Sequence, residues 1–64
     1  MKIRYDKETD IVYIRFSDVK IAESDQAKPG IILDYAEDGR IVGIEVLNAS
    51  ENMVNENGIL YEVA

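Results

Sequence analysis

Sixty-four residues suffice for a single small domain, 1–64, and leave no room for a second. Thirteen acidic against seven basic side chains set a formal net charge of −6, which disfavours nucleic-acid phosphates and anionic membrane surfaces and favours a basic protein partner. With no Cys and no His, the chain has no disulfide staple and no thiolate or imidazole for a zinc site.

The first strand is written at once: Ile3 and Tyr5 alternate with Lys2, Arg4 and Asp6, an edge strand with charge on its wet side. Lys7-Glu8-Thr9-Asp10 is a polar turn, and Ile11 to Phe16 is the second strand, with Val12, Ile14 and Phe16 on one face. Pairing Tyr5 with Val12 and Ile3 with Ile14 keeps the apolar sets together across a four-residue loop. Asp6, Glu8 and Asp10 place carboxylates at alternate positions, yet a calcium loop would need Gly and Glu where Ile11 and Ser17 stand, so we read a solvated turn.

Val19 and Ile21 alternate with Lys20 and Ala22, which predicts a short third strand, and Ser24 to Lys28 reads as loop before the Pro29-Gly30 turn. Ile31 to Leu47 then spells a hairpin. Asp38-Gly39 suits a two-residue turn, which sets Tyr35 against Val42, Leu33 against Ile44 and Ile31 against Val46. A three-residue loop would set Leu33 against Gly43 and scatter the apolar partners over both faces. Asn48 with Glu51 three residues on matches a capping box and predicts a short helix near residues 49–54. Asn57-Gly58 would end it, and Ile59, Tyr61 and Val63 would form a last strand.

The fold expected is therefore mainly β: a small antiparallel meander of hairpins, four to six strands, with one short helix. Its core is expected from Ile3, Tyr5, Val12, Ile14, Phe16, Leu33, Val42, Ile44 and Val46, with Tyr35 beside it. The registers assign Ile11, Tyr13, Ile32 and Ile41 to the opposite face, where a lone sheet would prefer polar side chains. Interleaved with Arg15, Asp34 and Glu45, they form the interface we expect: Ile11, Tyr13, Arg15, Ile32 and Ile41, covered either by the tail or by another chain. A chain this short sits near the balance between apolar burial and chain entropy, which also points to a homodimer or a bound partner.

Chemistry is sparse. Asp34 and Glu45 lie diagonally about Gly43 and are close enough to divide acid and base roles, but the sequence shows no burial to separate their pKa values. We expect no enzyme, no cofactor and no metal. The chain begins on a strand, shows no apolar leader and has no stretch of membrane-spanning length, so a cytoplasmic location is expected.

Lys2-Ile3-Arg4-Tyr5-Asp6, Asp10 to Ser17, Pro29 to Tyr35 and Asp38 to Glu45, in that order and spacing, resemble a family of short bacterial and archaeal proteins known as domain of unknown function 2283. The resemblance covers about residues 1–50; the tail from Glu51 onward matches no pattern of the family. It implies no established activity and no functional residues. For some members it implies an antitoxin role in two-gene toxin–antitoxin pairs. The function expected is thus a non-catalytic protein-interaction module, with inhibition of a basic toxin as its finer form. The alternatives are a self-associating structural domain and a small-molecule binder or enzyme.

Overall fold

The computed structural model describes residues 1–53. The expected helix end at Val54 to Gly58 and the expected last strand Ile59 to Val63 lie outside the described residues. Five strands form one antiparallel sheet: β1 (Lys2–Asp6), β2 (Ile11–Arg15), β3 (Glu23–Lys28), β4 (Ile31–Tyr35) and β5 (Ile41–Val46), in the spatial order β1-β2-β5-β4-β3. A four-residue helix, α1 (Ala49–Asn52), follows β5. The fold is mainly β with one short helix, as the alternation of apolar and polar residues predicts.

The first hairpin has the expected register, with Ile3 opposite Ile14 and Tyr5 opposite Val12. In the second, Ile31 faces Val46 and Leu33 faces Ile44, also as expected, but Tyr35 faces Ile41 rather than Val42. The loop is Glu37-Asp38-Gly39: the Ala36 N–H bonds the Arg40 carbonyl at 2.8 Å, and the Gly39 N–H bonds the Ala36 carbonyl at 3.0 Å. A two-residue turn would need positive φ at both central residues. Only Gly39 adopts it, at +89°, while the Asp38 carboxylate accepts from the backbone N–H and Nε of Arg40. The three-residue loop shifts the pairing by one. A bulge between Asp34 and Tyr35, which leaves Val42 of β5 unpaired on the β4 side, shifts it back.

One face of the sheet carries the core. Val12, Val46 and Ala49 are buried, with Ile3, Ile14, Ile31, Ile44 and Met53 packed around them, so α1 lies on this first face. Each such Val, Ile or Met side chain contributes about 1.5–3 kcal/mol when fully removed from water. Val42, 2% exposed, is buried as expected. Tyr5 and Phe16 are not: they are 51% and 46% exposed. Tyr5 turns its hydroxyl to Asp10, and Phe16 lies one residue past the end of β2, held by its N–H to the Val42 carbonyl at 2.7 Å. Ile3, Tyr5, Val12, Ile14, Ala49, Ser50 and Met53 line a mainly apolar hollow of about 500 Å³ on this face.

The expected strand at Val19 to Ala22 is a crossover instead, and the expected loop Ser24 to Lys28 lies within β3. β2 and β3 are separated by β5 and β4 in the sheet, so the chain between them must span the sheet end, and Val19 is left 51% exposed. β3 forms because the outer edge of β4 takes a ladder partner; all six β3 residues are exposed, so no burial pattern marks it in the sequence. No helix among the described residues is long and apolar enough to cross a membrane.

Candidate functional site

The second face of the sheet is organised in cross-strand rows. One runs Lys2, Arg15, Gly43, Asp34, Ser24 across all five strands, and the next runs Arg4, Tyr13, Glu45, Ile32, Gln26. Partners in a row project to the same side. The Arg4 guanidinium lies 5.6 Å from the centroid of the Tyr13 ring, in reach of a cation–π contact.

Gly43 makes the first row possible. A Cβ there would sit 2.6 Å from the Ile14 carbonyl oxygen and 3.6 Å from Arg15 Cδ, so the missing side chain is the space over which Arg15 lies. The Arg15 guanidinium then donates to the carbonyls of Ser17 at 3.2 Å and Val19 at 3.1 Å, which pins the start of the crossover. Asp34 is 2% exposed and accepts a 2.6 Å hydrogen bond from the Ser24 hydroxyl. Glu45, one row away, has its carboxyl held above its ordinary pKa by burial first and by the neighbouring Asp34 second.

Of the five interface residues expected from the sequence, Tyr13 and Ile32 share a row, Arg15 lies in the row beside it, and Ile11 sits opposite Asp6 at the other end of β2. Ile41 is elsewhere. The Val42 bulge sets it opposite Tyr35, on the Leu33 side of β4, where it is 47% exposed. Arg4 was missed in the sequence; strict alternation placed it on the wet side of β1 but gave no sign that this side continues into Tyr13 and Glu45.

A second surface lies at the outer edge. β3 ends the sheet, so one side of its backbone has no ladder partner among the described residues. Beside it, Glu23, Ser24, Asp25, Tyr35, Ala36, Glu37 and Gly39 line an open polar groove of about 600 Å³ with three carboxylates and no basic side chain. Among the described residues no group of three or more His, Cys, Asp or Glu side chains is placed to hold a metal ion.

No curated protein and no solved structure matches the chain. A family model does match, over residues 2–50, the stretch in which the first two hairpins and β3 are built, and the chain belongs to the family described as Protein of unknown function (DUF2283).

Proposed function

We propose that this chain is a non-catalytic protein-interaction module that takes an extended, basic segment of another protein along β3. The observation that carries this reading is the outer edge of β3: six exposed residues whose outer backbone groups have no ladder partner among the described residues, the arrangement to which a further strand adds. Glu23, Asp25 and Glu37 beside that edge select the partner's charge. They outnumber Lys28 at the other end of the strand and attract Lys or Arg, so strand addition favours a cationic partner. The overall charge of −6 adds long-range steering to the same end. Neutralising a small basic toxin is the specific form of this role.

The test is affinity capture with the immobilised chain from lysate of the source cell, repeated with Glu23→Lys/Asp25→Lys/Glu37→Lys. The reading expects a basic protein that the wild type retains and the triple variant releases, with retention falling steeply as salt rises. Retention of the same protein by both forms, or capture of an acidic one, overturns it.

A further inference from the structure

We propose that the second face of the sheet is a homodimer interface, in which Arg4 and Tyr13 of one copy meet Glu45 and Ile32 of its partner around a two-fold axis parallel to the strands. The second row carries its cation on β1 and its anion on β5, with Tyr13 between them and Ile32 beyond. The face is thus divided by charge: Lys2, Arg4 and Arg15 outnumber the single Asp6 on β1 and β2, and Asp34 and Glu45 lie on β4 and β5. A two-fold axis between β2 and β5 lays β1 and β2 of one copy over β4 and β5 of the other. Each basic half then meets an acidic half, twice per dimer, which is the self-complementarity that a two-fold contact requires. The alternative of β5 over β5 would place Glu45 against Glu45 and is disfavoured.

Both charged groups gain from this arrangement. Among the described residues Arg4 has only an exposed 3.8 Å contact to Asp6 and a cation–π contact to Tyr13, which uses none of its donors. Glu45 is partly desolvated beside another carboxyl group and has no cation beside it among the described residues. Tyr13, Ile32 and Ile11 are half-buried and supply the apolar centre. Four overlapping strands, each about 17 Å long and about 4.8 Å from the next, cover roughly 300 Å² of flat area per copy, below the usual size of a stable specific interface. The association is therefore a weak, transient one. It uses a different surface from the β3 edge, so either proposal stands or falls without the other.

Sedimentation equilibrium from about 1 to 300 µM, the range in which so small an interface titrates, is the test. Wild type is expected to pass from monomer to dimer. Arg4→Glu and Glu45→Lys, each placing like charges together at both contacts, should weaken the dimer at least tenfold, about 1.4 kcal/mol. An equimolar mixture of the two single variants restores both charge pairs and should form a heterodimer, as should the double variant with itself. Far-UV circular dichroism confirms that each variant keeps its sheet. A wild type that stays monomeric throughout, single variants that dimerise like wild type, or a mixture and a double variant that both stay monomeric overturns the proposal.

Discussion

Asp10 and Ser50, forty residues apart in the chain, are joined by three hydrogen bonds: the Ser50 hydroxyl donates to Oδ2 of Asp10 at 2.7 Å, and the Ser50 N–H lies 3.1 and 3.3 Å from its two carboxylate oxygens. The Asp10 carbonyl accepts the Ala49 N–H at 2.9 Å, and its Oδ1 accepts the Tyr5 hydroxyl at 2.7 Å. One turn residue thus caps α1 from outside the helix. Asp10 does so from the left-handed region, φ +57°, which Asp tolerates better than most side chains. Asn48 precedes the helix as the capping-box pattern requires, but it too is left-handed, at φ 50°, and makes no side-chain cap hydrogen bond. The carboxylate that does the capping lies in the first hairpin.

These bonds make stability depend on acid. The Ser50 side chain first, then the Tyr5 hydroxyl, hold the Asp10 carboxyl below its usual range. A depressed folded pKa means that its contribution is full above the unfolded value, about 3.9, and is lost as pH falls through the lower folded value. Asp10→Asn keeps a residue that accepts left-handed φ and removes the charge. Thermal melts should show the variant below wild type at pH 7, with the gap closing below about pH 4. A gap that persists unchanged at pH 2.5 would show that the charge is not what Ser50 recognises.

How much of this was legible in the sequence follows from which forces leave a pattern. Leu33–Ile44 and Ile31–Val46 were readable because burying one face forces alternation, and a slip of one residue would expose every apolar partner. The same reasoning misread the loop. Two offsets, a three-residue turn and the Val42 bulge, cancel over most of the hairpin, so the pattern beyond the bulge cannot reveal either one. The price was Ile41, which the bulge moves off the expected interface. β3 was invisible because all six of its residues are exposed and its pairing is chiefly backbone, which does not write side-chain periodicity. The Asp10–Ser50 clasp is long-range and polar, and two residues forty apart carry no local signal.

Gly43 is a packing requirement rather than a turn. Gly43→Ala drives its Cβ against the Ile14 carbonyl, a backbone atom of the neighbouring strand that cannot rotate away, and against the stem of Arg15. The expected loss is about 1–3 kcal/mol, the usual cost of forcing a methyl group into a filled space. Urea titration should move the midpoint down with the slope unchanged. Gly39→Ala meets no atom within 4 Å and should cost only the strain of its left-handed backbone, about 1 kcal/mol, so the ranking of the two variants separates crowding from conformation.

Glu45 carries the opposite pH sign from Asp10. Burial, then Asp34, raise its folded pKa. Its contribution is therefore full below the unfolded value, about 4.3, and is lost as pH rises through the folded value, leaving an ionised, partly desolvated group at neutrality. Glu45→Gln should stabilise the monomer at pH 7 by less than about 1 kcal/mol, because solvent screens a side chain that is only partly covered. The gain should vanish near pH 3, where wild type is itself neutral. Melts belong at low protein concentration, since the same change removes a charge used between copies.

Ser24 tests whether β3 is held by more than its ladder. Its hydroxyl is the donor that the buried Asp34 carboxylate accepts at 2.6 Å, and Ser24 stands directly opposite Asp34 in the β3–β4 register. Ser24→Ala leaves that acceptor buried with one donor fewer, which costs about 1–3 kcal/mol, more than the net worth of an ordinary hydrogen bond. The loss should be local as well as global. Among the described residues β3 has six exposed positions, no core contact of its own and one side-chain tie to the sheet, so removing that tie should raise amide exchange from Ser24 to Gln26 first. Ser24→Thr keeps a hydroxyl with a branched stem suited to a strand and should recover most of the protection. If Ser24→Ala and Ser24→Thr exchange alike, the ladder alone holds the edge on which the proposed partner strand would dock.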